Sequence, residues 1–303
     1  MIYYCGWDGG ASKTHVCITD ENGVILAEKI FGPINISGAS DETVANTIRN
    51  CMDFMKSLPY GIKNYNGLVI GVAGISNEGA TQFIKETLKQ EGYSGNLYLT
   101  GDNEIALSGS INGPGAVLIA GTGSICFGRD ENGKTFRCGG YGYLIDDEGS
   151  GYAIGRDILI AVTKAYDGRA PETCLTEAVY NQLNVNDQKG VITWLYSPET
   201  EKKQIAALAP LLIPALNKND NAANEIAQKA IKALTHLVTA SCNKANLKNG
   251  EVALLGSIFT NYTYIKEQVI NSIKSELPQI KIVIAQHSAA QGAANLAREL
   301  FTV

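Results

Sequence analysis

"GWDGGASKTHVCITDENG", residues 6–23, carries glycines and a Lys-Thr pair, as a phosphate-binding P-loop does. The P-loop pattern puts a glycine directly before its lysine, and here that position is Ser12, with a carboxylate, Asp8, close by. A second copy decides the reading. In "AVLIAGTGSICFGRDENGKTFRCG", residues 116–139, the run Asp20-Glu21-Asn22-Gly23 returns as Asp130-Glu131-Asn132-Gly133. One shift of 110 aligns Ser12 with Thr122 and Asp20 with Asp130. A glycine-rich turn bearing a hydroxyl and an Asn-Gly hairpin signal therefore recur in one register. Shared register makes duplication a better account than coincidence.

Working outward, periodicity predicts strands near 2–7, 14–20 and 24–30, a helix near 40–57, a strand near 67–72, a helix near 79–91, a strand near 96–100 and a helix near 103–111. The second half repeats this order: strands near 116–121, 124–129 and 134–138, a long helical stretch from about 149 to 248, a strand at 251–256, a helix near 261–276, a strand at 280–285 and a helix near 289–301. The expected class is α/β, with two β-β-β-α-β-α-β-α domains at 1–115 and 116–288, helices inserted in the second, and the last helix, 289–303, packing back on the first. Two such units should leave a central cleft between them, the usual ligand position.

Composition narrows the partners. At 303 residues, 45% hydrophobic and 18% charged, the chain is an ordinary globular protein rather than a disordered one. A formal charge of −5, with no basic run interleaved with aromatics, argues against nucleic acid. The longest apolar run, near "GAVLIAG", is far short of the roughly 20 residues that span a bilayer. The N-terminus shows no basic region or cleavage site, so a cytoplasmic protein is expected. Seven cysteines without a C-x-x-C pair argue for a reducing compartment and against a disulfide framework or a zinc site.

Five loops carry candidate chemistry. In the first, Gly9 and Gly10 allow backbone N–H groups to approach a phosphate, Ser12, Lys13 and Thr14 add donors, and Asp8 can anchor a hydrated Mg²⁺ arriving with ATP. A plain Asp-Gly-Gly turn accounts for the same residues equally well, but the partner loop at Gly121, Thr122 and Gly123 favours phosphate. Asp102, in "LTGDNEIALSGS" (99–110), follows a strand at a helix start, where it serves as a helix N-cap, as a general base, or as both. Phosphoryl transfer needs one such acid to take the proton of the attacking hydroxyl. "CGGYGYLIDDEGSGYAIG" (138–155) sets Asp146, Asp147 and Glu148 between a Gly/Tyr-rich turn and a helix. Those acids complement a helix dipole, and together with the aromatics they suit sugar hydroxyls. Gly256-Ser257, after the strand "EVALLG", forms either a simple β–α turn or an adenosine contact.

The twofold pattern resembles the actin-like ATPase superfamily, with its RNase H-like domains. The motifs "DGGASKT", "GVAGIS" (71–76), "TGDN", "AGTGS", "CGGYGYLIDDEGSGYAIG" and "LLGSIF" follow the order seen in N-acetylglucosamine kinases and the BadF/BadG-type ATPase family. The resemblance covers nearly the whole chain. It implies a cytosolic, usually homodimeric kinase moving the γ-phosphate of MgATP to the 6-hydroxyl of an N-acetylhexosamine, with domain closure excluding water. By position it makes Asp102 the base, Ser12 and Thr122 ATP phosphate contacts, and Gly256 and Ser257 part of the nucleotide region, with Ala289 and Ala290 beside them. Asn35 in "GPINIS", with Gly140, Tyr141, Gly142, Asp147 and the adjoining Glu148, falls to the sugar.

Three departures concern the substrate. Ala11-Ser12 stands where the family commonly has Gly-Thr, Tyr141 replaces a common Trp, and Asp146 a common Gly. The last two bear on which sugar is bound: N-acetylglucosamine, N-acetylmuramic acid or glucosamine. A different class, the ATP-driven activator of an acyl-CoA dehydratase or reductase, needs cysteines ligating a shared iron–sulfur cluster. Cys126 and Cys138 lie in no such motif.

Overall fold

A computed structural model describes every residue except 1, 36–37, 60–63, 73–74, 76–77 and 303. The chain divides into two units, Met1–Asn112 with Ile284–Val303, and Gly113–Val283. The first holds β1 (Tyr3–Gly9), β2 (Thr14–Asp20), β3 (Ile25–Phe31), α1 (Asp41–Ser57), β4 (Tyr65–Val72), α2 (Glu78–Gln90), β5 (Asn96–Thr100) and α3 (Asp102–Ser110). The second holds β6 (Gly115–Ala120), β7 (Ser124–Arg129), β8 (Thr135–Gly139), α4 (Gly151–Tyr166), α5 (Leu175–Leu183), α6 (Gln188–Leu195), α7 (Lys202–Ala206), α8 (Leu212–Asn217), α9 (Asn221–Lys244), β9 (Gly250–Leu255), α10 (Ser257–Asn261), α11 (Thr263–Glu276) and β10 (Ile280–Val283). The closing helix α12 (Ala289–Phe301) belongs to the first unit.

Each unit has a five-stranded sheet, ordered β3-β2-β1-β4-β5 and β8-β7-β6-β9-β10. In both, the first three strands pair antiparallel and the last two join in parallel. The central strands β1 and β6 are almost wholly buried, so they read as near-continuous small and apolar runs rather than alternating ones. The edge strand β3 keeps Glu28 and Lys29 in solvent, which discourages pairing with another chain. Gly6 marks where α12 crosses β1: a Cβ there would lie 2.2 Å from the Ala290 carbonyl oxygen.

The two Asp-Glu-Asn-Gly hairpins fold alike. Asp20 Oδ1 accepts the N–H groups of Asn22 and Val24, and Asp130 Oδ1 those of Asn132 and Lys134, all four at 2.9 Å. Gly23 and Gly133 both take φ +82°, the left-handed region that glycine enters without steric cost.

The predicted helical stretch of 149–248 is made of six helices. Gly168 (φ +77°) and Asn184 (φ +54°) reverse the chain in left-handed turns, and Pro210 opens a short 3₁₀ segment. The longest, α9, buries Ala223, Ala227, Ala230, Leu234 and Val238 along one stripe against the second sheet. The helix predicted near 261–276 is α10 and α11, separated at Tyr262, whose φ of −122° and ψ of 78° are not helical.

Candidate active site

In the first unit the parallel pairing sets Asp8 opposite Gly71, and Gly71 opposite Thr100. The carboxyl ends of β1, β4 and β5 therefore form one edge. The chain leaves β5 through Gly101, and Asp102 is the first residue of α3. The N-cap is thus Gly101, which has no side chain to offer, and the Asp102 carboxylate instead accepts the N–H of Asn103 at 3.1 Å. Burial raises the Asp8 carboxyl above its ordinary value, and the Asp102 charge raises it further, against smaller opposing effects of His15 and Lys13. Two acids on one strand edge thus repel each other.

The first loop closes where Gly10 N–H donates to the Lys13 carbonyl at 2.8 Å. The Gly10 carbonyl in turn accepts from Ile34 and Asn35 at 3.3 and 3.4 Å, which brings Asn35 to the loop. Ser12 and Lys13 are exposed. Thr14 is fully buried and donates its hydroxyl to the Gly32 carbonyl at 2.7 Å, so Ser12 is the hydroxyl this loop presents. Gly9 ends β1 at the loop's base. Of "GVAGIS", residues 73, 74 and 76 lie outside the described residues.

The second loop, Gly121-Thr122-Gly123, is one residue tighter, with Gly121 N–H donating to the Gly123 carbonyl at 2.9 Å. Thr122 is exposed at its tip. Beside it Gly256 takes φ +101°, and a Cβ would lie 2.2 Å from the Ala120 carbonyl oxygen, so only glycine fits. Ser257 opens α10 and is exposed. Ala289 and Ala290 lie in the first unit, at the start of α12, where Ala290 is packed under β1.

The Gly/Tyr turn is braced by Arg137. Its guanidinium donates to the carbonyls of Gly139 and Gly140 and lies 4.6 Å from the Tyr141 ring centroid, leaving that ring exposed. Asp146 accepts the Tyr141 N–H at 3.0 Å. Gly142 takes φ +99° with open space around its Cα, and Glu148 is exposed. Asp147 is different: it is 4% exposed, in a left-handed conformation (φ +60°), and its carboxylate accepts the Ser124 N–H at 3.2 Å and the Lys202 ammonium at 2.7 Å. Ser124 Oγ donates to the Glu148 carbonyl at 2.7 Å, and Gly151 N–H to the Gly121 carbonyl at 2.7 Å. The acid run and the second loop are therefore one hydrogen-bonded body. Lys202 is the residue sequence reasoning missed. It lies 55 positions from Asp147, inside the helical insertion, with no local pattern to announce it.

Among the described residues there is no group of three or more His, Cys, Asp or Glu placed to hold a metal, and no helix long and apolar enough to cross a membrane. Cys126 and Cys138 face each other across β7 and β8, both buried. Burial pushes the Cys126 thiol up, away from the thiolate form that an iron–sulfur cluster requires.

The chain is 32% identical to the N-acetylmuramic acid/N-acetylglucosamine kinase of Clostridium acetobutylicum, over 98% of this chain and 99% of that protein. It is 29% identical to the N-acetyl-D-glucosamine kinase of Dictyostelium discoideum, covering 97% of each. Its fold is similar to that of a candidate N-acetylglucosamine kinase from Chromobacterium violaceum, with a TM-score of 0.70 at 24% identity over 98% of this chain and 99% of that one. It is also similar to that of a ROK family glucokinase from Streptomyces griseus solved with glucose and AMPPNP, with a TM-score of 0.56 at 14% identity over 98% and 99%. The BadF/BadG/BcrA/BcrD ATPase family matches residues 5–297, and the chain belongs to that family.

Proposed function

We propose that this protein is an ATP-dependent sugar kinase that phosphorylates the 6-hydroxyl of an N-acetylhexosamine, N-acetylglucosamine or N-acetylmuramic acid, in amino-sugar or cell-wall sugar salvage. The observation that carries the proposal is the placement of Asp8 and Asp102 at one sheet edge, where the Asp102 charge adds to burial in raising the Asp8 carboxyl. Asp102 accepts the proton of the attacking hydroxyl, a task for a positioned carboxylate at a strand's carboxyl end. The exposed donors Ser12, Lys13 and Thr122, with the N–H groups of the two glycine loops, contact the phosphates. Asn35, Gly140, Tyr141, Gly142 and Glu148 contact the sugar, and Gly256 and Ser257 the nucleotide. Asp147, expected at the sugar from the sequence, is buried against Ser124 and Lys202 and supports the turn instead.

A divalent cation fits this chemistry, because it relieves the repulsion that raises the Asp8 carboxyl. Asp8 would hold Mg²⁺ through water, and the bound ion would supply charge neutralisation of the triphosphate. Each unit is read as one RNase H-like domain of the actin-like ATPase type, and the working form as a cytoplasmic homodimer, which light scattering on the purified protein checks. The test of function is ADP release with MgATP across glucose, glucosamine, N-acetylglucosamine and N-acetylmuramic acid. Turnover on the N-acetylated sugars is expected. Turnover on none of the amino sugars overturns the reading.

A further inference from the structure

The helical insertion looks like an appendage of the second unit, yet one of its side chains reaches the phosphate loop. Lys202 opens α7, the five-residue helix that starts where Glu201 N–H donates to Gln204 Oε1 at 3.1 Å. The helix is seated closely on α4. A Cβ at Gly155 would lie 2.0 Å from the Ile205 carbonyl oxygen, so the backbones touch there. From that seat the ammonium meets the Asp147 carboxylate at 2.7 Å and stands 5.5 Å from the Tyr143 ring centroid. Tyr143 in turn packs edge-on against Tyr152, centroids 4.9 Å apart.

Asp147 is the middle of the chain of contacts. Its carboxylate lies where a Cβ on Gly123 would be, 2.9–3.0 Å away, and accepts the Ser124 N–H. The acid therefore presses directly on the loop that presents Thr122. The carboxylate, 4% exposed, is satisfied by the Ser124 N–H and by the lysine, its ion-pair partner at 2.7 Å. The lysine's own side chain is 29% exposed, so the pair sits at the rim of the loop rather than deep in the core.

We propose that Lys202 is a positioning residue for phosphoryl transfer: by holding the Asp147 carboxylate it fixes the Gly121–Ser124 loop in its phosphate-binding conformation and ties that loop to the Gly/Tyr turn. This rests on the kinase reading for the identity of the nucleotide. A charge lost at 202 leaves Asp147 uncompensated beside the loop, and the loop then has to be ordered by the phosphates themselves. The deficit should appear in nucleotide binding and not merely in the amount of folded enzyme.

The experiment titrates the full-length protein with AMPPNP and Mg²⁺ by calorimetry, comparing wild type with Lys202→Met, Lys202→Gln and Lys202→Arg, each checked by circular dichroism. Lys202→Met and Lys202→Gln should weaken AMPPNP at least tenfold, and Lys202→Arg should stay within threefold of wild type. In turnover the Met variant should show a raised KM for ATP. A kcat reduced in proportion to the folded fraction, with KM unchanged, is the mark of a merely structural lysine and overturns the proposal. So does AMPPNP affinity within threefold of wild type in either neutral variant. Failure of both neutral variants to fold while Lys202→Arg folds also overturns it. Because AMPPNP binding does not involve the sugar, a wild type that turns over no amino sugar counts against the proposed substrate and leaves the Lys202 comparison intact.

Discussion

The two glycine loops begin from the same sequence plan and end in opposite electrostatic settings. In the first unit the acid, Asp8, comes from the strand that leads into the loop, and the neighbour that matters is another acid, Asp102. In the second unit the acid, Asp147, arrives from beyond the third strand and already carries a cation, Lys202. The first loop is left wanting positive charge from outside the chain; the second is supplied from within it. One turn plan thus leads to an acid that repels its neighbour in the first unit and to an acid already paired with a cation in the second.

The comparison can be broken most severely at Asp102. Asp102→Asn removes the proposed base but keeps the shape, so kcat should fall by about 10²–10⁴-fold. AMPPNP binding should change little. An Asn variant turning over near the wild-type rate removes Asp102 from the chemistry.

Gly256→Ala strikes the second loop's backbone. The added Cβ must enter the space of the Ala120 carbonyl at φ +101°, so a loss of about 2–4 kcal/mol of stability is expected. Urea unfolding of the isolated variant measures it. The same change at Gly142, also at positive φ but with open space around it, should cost less, about 1–2 kcal/mol. Equal losses would show that backbone conformation and not the carbonyl contact sets the penalty.

Asp8→Asn sharpens the electrostatic contrast. A carboxyl raised in the folded state binds its proton more tightly there than in the unfolded chain, so its ionisation costs stability. That cost is absent below the ordinary value of 3.8, accumulates as pH rises from there through the raised folded value, and is fully present above it. The metal-free Asn variant should therefore melt higher than wild type at pH 7, by about 2–4 °C for each kcal/mol relieved. The gap should close below pH 3.8. Adding MgATP should reverse the order, because the variant has lost the carboxylate that would hold the ion. A variant melting no higher than wild type at neutral pH would show that Asp8 carries no such penalty.

The smallest effect is expected at the exposed hydroxyls. Ser12→Ala and Thr122→Ala each remove one neutral donor, worth about 0.5–1.5 kcal/mol, and should raise the KM for ATP by about two- to tenfold. Thr14→Ala should instead lower stability, since its buried hydroxyl serves the Gly32 carbonyl.

Much of this architecture was legible because it is local and repeated. The strands follow from runs of apolar residues, and both hairpins from Asp-x-Asn-Gly, where one carboxylate satisfies two backbone N–H groups within four residues. The helix ends in the insertion were not legible. Gly168 and Asn184 break it, and Tyr262 separates α10 from α11 further on, through backbone conformations that helical periodicity does not register.

The sequence by itself determined the strands, their repeated succession along the chain and the residues offered at each loop, because neighbouring residues and hydrophobic period suffice for these. The order of strands within each sheet came from the fold. Only the tertiary structure decided what each acid meets. Asp8 reaches Asp102 through the parallel register of three strands, and Asp147 reaches Lys202 across 55 residues of inserted helix. Charge acts through space and not along the chain, so whether a carboxylate repels, binds or is already paired becomes known only when the fold brings its partner in.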